Sequence, residues 1–297
     1  MPNDVRQTLQ KAVYDLKADS HNAEIAFFGG SFTAIDRDYM LSLLESTKPF
    51  IHHFKGIRIS TRPDYIDDEV LILLKKYNIT TIELGAQSMD DDVLSANDRG
   101  HSSDDVRNAS RLIKAHGFKL GLQMMTGLYK SSHEADYDTA LEFVKLRPDC
   151  VRIYPTVIMK NTELERLYNS GVYKPDTLEQ SVELCAALLT LFDNEHIDVI
   201  RVGLHYSDSL IEGSVASGYH PAFRELCENR IFADKLDRVL RNIDSQNIII
   251  EVNPFSVSKL IGQKRANIKD LEQRGYKIKI DKDRSLSKYG LRIKNNR

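Results

Sequence analysis

Six short apolar runs recur through the first two hundred residues, each followed by an amphipathic stretch, and this rhythm limits the folds open to the chain. The runs are Ile25–Phe28, Ile57–Ser60, Thr81–Leu84, Leu120–Met124, Val151–Tyr154 and Val199–Val202. Each has the length of a strand buried on both faces. Between them, apolar residues at helical spacing predict helices over Tyr39–Leu44, Glu69–Tyr77, Val106–His116, Asp136–Lys145 and Leu178–Asn194. Regular β-α alternation implies a parallel sheet with helical crossovers, and this repeat number favours a barrel or part-barrel. A helix comes first: Val5, Leu9, Ala12, Val13 and Leu16 share a face, with Asn3 or Asp4 as its cap. A βα barrel ordinarily starts with a strand. The reading is therefore a partial (β/α)6 barrel without its first strand and first active-site loop, leaving Ala26-Phe27-Phe28 on a bare sheet edge.

After Leu204 the rhythm changes. A polar, helical stretch from Ser207 leads to a compact unit: strand Ile248–Val252, helix Ser256–Leu260, loop Ile261–Arg265, helix Asn267–Arg274, strand Tyr276–Ile280 and a short last strand, Leu291–Ile293. The expected domains are 1–206, a helical connector 207–245, and a small α/β domain 246–297. Net charge is only -2, which argues against indiscriminate nucleic-acid binding by the whole surface. The tail differs, with Lys264, Arg265, Lys269, Arg274, Lys277, Lys279, Lys282 and Arg284 forming a basic run that either meets phosphate or is a solvated face. No apolar run approaches the roughly 18 residues of a membrane span. The N-terminus lacks a charged-then-apolar signal pattern, so a cytoplasmic location is expected.

Chemistry-bearing residues gather at strand ends. Gly29-Gly30 follows the first strand, where it either lets a backbone approach a ligand or makes a tight turn. Gln87 and Gln123 each end a strand with a carboxamide, which can donate and accept. His101 is a possible acid or base beside the helix cap Ser102-Ser103, or a structural residue. Arg152 and Arg201 sit within strands, where a charge needs a partner or a ligand anion. Cys150, Cys185 and Cys227 lie 35 and 42 positions apart, so no close-spaced metal or redox motif is formed, and no metal site is expected.

In order and spacing, Gly29-Gly30-Ser31-Phe32, Ser60-Thr61-Arg62-Pro63-Asp64, Glu83-Leu84-Gly85-Ala86-Gln87-Ser88, Arg99-Gly100-His101, Gln123–Leu128 and Tyr154-Pro155-Thr156 resemble radical S-adenosylmethionine (SAM) proteins. The nearest groups are the elongator catalytic subunit and oxygen-independent coproporphyrinogen oxidase, and the resemblance runs from Ile25 to Pro221. It implies that Gly29, Gly30, Ser31, Arg62, Gln87, Gln123, Ile153 and Tyr154 contact SAM, with Ser31 standing where the family carries a carboxylate. It also implies a 4Fe–4S cluster held by a CxxxCxxC loop and fed by an electron donor. This chain shows no such cysteine trio. The expectation is an enzyme core for reductive SAM cleavage to a 5′-deoxyadenosyl radical, acting on RNA, N-terminally truncated and inactive alone. The alternative is a cluster-free SAM- or RNA-binding protein. The tail resembles a KH domain, whose GxxG loop clamps single-stranded nucleic acid, so Gly262, Gln263, Lys264 and Arg265 are the RNA-binding candidates.

Overall fold

The computed structural model describes residues 1–241, 243 and 245–295, and contacts divide them into two compact units. The first comprises 1–154 with 197–200, the second 155–196 with 201–297. The division departs from the expected domains because Leu178–Asn194 packs with Phe223–Leu240.

The first unit opens on helix α1 (Pro2–Leu16), which starts ahead of the expected cap because Pro2 fits a first helical turn. Strands β1 (Ile25–Phe27), β2 (Ile57–Thr61), β3 (Ile79–Gln87), β4 (Lys119–Thr126) and β5 (Cys150–Pro155) follow in order. Helices α2 (Arg37–Glu45), α3 (Asp68–Lys75), α4 (Asp91–Ala96), α5 (Ser103–Ala115) and α6 (His133–Leu146) lie between them in sequence. Skipping the short β6 (Val157–Met159), the sheet adds β7 (Asp198–Val202) to give the order β1-β2-β3-β4-β5-β7. Pairing is parallel from β1 through β4, and the sheet curls as a half-barrel. Among the described residues β1 pairs only with β2, so it forms the sheet edge.

Burial explains the apolar runs. Ile57, Ile59, Ile82, Leu84, Leu120 and Ile153 are essentially inaccessible. The second unit holds α7 (Glu163–Asn169), α8 (Leu178–Asn194), α9 (Asp208–Gly213), β8 (Ser214–Ser217) and α10 (Phe223–Leu240), with β6 and β8 paired antiparallel. It continues as β9 (Asn247–Val252), α11 (Val257–Ile261), α12 (Ala266–Gln273), β10 (Lys277–Lys282) and β11 (Leu291–Asn295). These strands form a sheet of order β10-β9-β11, in which β9 is parallel to β10 and antiparallel to β11. Among the described residues no helix is long and apolar enough to cross a membrane.

Candidate functional site

The carboxyl ends of β1 to β5 converge on one cleft of about 540 Å³. Its walls include Gly29, Gly30 and Ser31 after β1, Arg62 after β2, Gln87 at the end of β3, Gln123 on β4 and Tyr154 on β5. Seven of the eight residues expected at a SAM site therefore share one cavity. Ile153 does not line it: strand alternation turns Tyr154 toward the cleft and buries Ile153 completely.

Local backbone explains how the polar groups reach the cavity. The β3–β4 register slips between Gly85 and Gln87, and Gln87 itself adopts a φ of 66°. A bulge of this kind re-aims a side chain at a strand end. Gly85 makes room for the result, since a Cβ there would come within 2.8 Å of the Gln87 amide nitrogen. At Gly29, with φ 110°, and at Gly30, an added Cβ would meet nothing within 4 Å, so both backbones face open space.

The two arginines of the cleft differ. Arg62 is paired: its Nε and one terminal nitrogen reach the Asp64 carboxylate at 2.9 and 2.7 Å, and it donates to the Gly100 carbonyl at 2.9 Å. Arg99 makes no ion pair or side-chain hydrogen bond among the described residues. Burial, and then the neighbouring Arg62 charge, push its guanidinium down from the ordinary value. A half-buried cation without a counter-charge can receive an anion. Sequence reasoning treated Arg99 only as part of a motif.

His101 is buried, with Nε2 3.0 Å from the Ala86 carbonyl and Nδ1 3.2 Å from the Arg99 carbonyl. A neutral imidazole can donate to only one of these two carbonyls, so a single ring N–H ties His101 to the neighbouring backbone. Beneath the cleft lies an ionic cluster around Glu83. Arg58 and Arg152 both donate to its carboxylate, at 2.7 Å and at 2.6 and 3.0 Å, and Gln123 donates at 2.8 Å. Burial pushes the Glu83 carboxyl up, but Arg152, with Gln123 and Arg58, outweighs it and holds the group below the usual carboxylate range. The partner that Arg152 needed is therefore a buried glutamate. Arg152 also lies 4.8 Å from the ring centroid of Phe28, an exposed residue that forms part of the cleft wall. Arg201 donates to the Gly203 carbonyl at 3.1 Å.

The cysteines stand apart from the cleft lining. Cys150 is buried at the start of β5 with its Sγ 3.4 Å from Arg58, and Cys185 and Cys227 are buried in α8 and α10. Among the described residues no three His, Cys, Asp or Glu side chains gather to hold a metal. The cleft is lined by glycine backbone, carboxamides, hydroxyls and guanidinium groups, and none of the three cysteines is part of that lining.

In the second unit the loop between α11 and α12 has an unusual backbone. Gly262 has φ 79°, and Lys264 and Arg265 are both left-handed, at φ 54° and 64°. Arg265 thus takes the conformation that favours glycine at the fourth place of a GxxG loop. Nearby, Phe255 is 86% exposed. Residues 246–297 carry 13 Lys and Arg against 5 Asp and Glu, although the whole chain is slightly acidic.

Residues 4–143 match the Radical SAM superfamily, and residues 148–232 match the Radical SAM C-terminal domain. Elongator complex protein 3 of Homo sapiens is 37% identical over 208 residues, which are 68% of this chain and 37% of that protein. A tRNA uridine(34) acetyltransferase of Methanocaldococcus jannaschii is 29% identical over 187 residues, 56% of this chain and 35% of its own length. The solved archaeal Methanocaldococcus infernus Elp3 with an N-terminus deletion (1–46) shares the fold at a TM-score of 0.66 and 24% identity, over 78% of this chain and 60% of that one. The chain spans between about a quarter and a half of the length of such curated relatives.

Proposed function

The chain belongs to the radical SAM superfamily, and from that premise we propose that its strand-end cleft binds SAM. The observation that carries this reading is the convergence of five strand ends on one cavity of about 540 Å³ that contains, among the described residues, one guanidinium without a carboxylate partner, Arg99. That volume suits a ligand of nucleoside size. The backbone of Gly29-Gly30-Ser31 would meet the methionine ammonium, Arg99 its carboxylate, Gln123 a ribose hydroxyl, and Phe28 and Tyr154 would flank the adenine. Ser31 offers a hydroxyl where a carboxylate would hold the ammonium more strongly, so the backbone carries more of that contact. In this superfamily SAM supplies a deoxyadenosyl group for radical chemistry when it is bound to a reduced iron–sulfur cluster. This chain's own residues bind and orient the sulfonium ligand. Titration of the full chain with SAM, followed by calorimetry, should give one saturable site in the micromolar range. No saturable binding up to about 1 mM would remove the reading.

The substrate we assign is RNA, contacted through Gly262, Gln263, Lys264 and Arg265. The basic content of 246–297 and the left-handed Lys264-Arg265 pair support it, as do relatives named for acting on tRNA. In fluorescence anisotropy at about 50 mM salt, the full chain should bind a single-stranded oligoribonucleotide. Lys264→Ala combined with Arg265→Ala should weaken that binding roughly tenfold and flatten its dependence on salt, because fewer counterions are released. A double variant that binds as well as the parent would exclude this loop, and a parent that ignores RNA would exclude the substrate.

A further inference from the structure

Glu83 sits in the middle of β3 with 1% of its side chain exposed, and both of its oxygens are saturated. Oε1 accepts from Arg58 at 2.7 Å and from Arg152 at 3.0 Å. Oε2 accepts from Arg152 at 2.6 Å and from the Gln123 amide nitrogen at 2.8 Å. An ionised carboxylate can only accept. Gln123 must therefore turn its NH2 toward Glu83, whichever way a carboxamide is otherwise drawn. Its second N–H is used as well, because Nε2 lies 3.1 Å from the Ser60 hydroxyl. What Gln123 leaves for a ligand is its carbonyl oxygen, an acceptor.

We propose that Glu83 is the positioning residue that sets the polarity of the cleft, obliging a bound ligand to present a hydroxyl or N–H donor to Gln123. The inference rests on the cleft being an adenosyl site, where that donor is a ribose hydroxyl. A second arm of the same carboxylate acts on the wall. Glu83 fixes Arg152, and Arg152 lies against the Phe28 ring beside Gly29. The cluster adds no net charge, since Arg58 also pairs with Glu24 at 2.8 Å, so two arginines balance two glutamates. Glu83 therefore governs which way hydrogen bonds run in the cleft, while attraction of an anion falls to Arg99.

The test compares S-adenosylhomocysteine with its 2′-deoxy and 3′-deoxy forms by calorimetry on the full chain. The parent should bind one deoxy form about tenfold more weakly, the effect of leaving a buried acceptor unmet. Glu83→Gln keeps the shape but lets the paired amides face either way. In that variant the preference should fall below about threefold, with the cooperative melt retained. Gln123→Met, which leaves Glu83 and its arginines in place, should lose the preference too. A merely structural Glu83 would lower affinity for all three ligands alike and leave the ratio untouched. A folded Glu83→Gln that still discriminates tenfold overturns the inference, as does a discriminating Gln123→Met. A parent that binds none of the three overturns the adenosyl reading, and the inference with it.

Discussion

Replacing Glu83 with leucine is expected to remove about 3–5 kcal/mol of the first unit's stability at neutral pH, the range for breaking a buried ion pair from one side. Leucine fills most of the space, so the loss is electrostatic. Arg58 and Arg152, each with only 15% of the side chain exposed, would be left with two guanidinium groups beside an apolar residue. Arg58 would keep Glu24, but Arg152 would lose its only carboxylate partner among the described residues. The pH dependence follows from the direction of the shift. Burial raises the Glu83 carboxyl, yet Arg152, Gln123 and Arg58 hold it below the usual carboxylate range. A depressed carboxylate contributes its stability in full above its ordinary value of about 4.3 and loses it as pH falls through the lower, folded-state value. Thermal melts should therefore show a gap of order 10 °C between parent and variant that is constant from about pH 5.5 to 8 and narrows only in strong acid. Converting Arg152 to leucine as well should recover part of the loss, since a buried pair exchanged for apolar residues is often neutral. A gap under about 1 kcal/mol, or one that closes between pH 6 and 8, would contradict this account.

The Glu83 cluster also shows where sequence stops being legible. An arginine inside a strand signals that a counter-charge is needed, and Arg152 gave that signal. The partner lies 69 positions earlier on β3, and only the order of strands in the sheet brings the two together. Helix α8 could be placed at Leu178–Asn194 from sequence because Thr177 and Gln180 form a capping box ahead of a long apolar face. The antiparallel pair β6 and β8 was not read, because Val157–Met159 follows β5 after a single residue and Ser214–Ser217 holds two serines around Val215-Ala216. The same alternation separates Tyr154 from Ile153: the strand was evident, but which neighbour faced the cleft was fixed by the pleat. The left-handed turn at Lys264-Arg265 had no sequence signal, because neither residue type favours it. The loop between two helices was nonetheless readable from Gly262. Fold class and most of the cleft lining were thus written in local pattern, while the charge balance within the cleft depended on long-range packing.

That charge balance yields the second large effect, at Arg99. Its guanidinium is pushed down by burial and then by Arg62, whose own charge is already taken up by Asp64, so among the described residues Arg99 is the cation in the cleft that is left for a ligand. If a methionine carboxylate is that ligand, Arg99→Ala should weaken S-adenosylhomocysteine binding roughly 30-fold, as expected for a charge-assisted hydrogen-bonded pair. The control is 5′-methylthioadenosine, which keeps the nucleoside and sulfur but has no amino-acid group. Its affinity should change less than about twofold, within ordinary surface effects. Protein stability should stay level or rise, because the substitution removes a half-buried charge and its repulsion of Arg62. Arg99→Lys should fall between the two, keeping the charge but losing the planar fork. Equal losses for both ligands would mean that Arg99 shapes the nucleoside pocket, and an unchanged affinity for S-adenosylhomocysteine would place the carboxylate elsewhere. Because the two ligands differ only beyond the sulfur, their ratio isolates the contribution of one guanidinium from every other contact in the cleft.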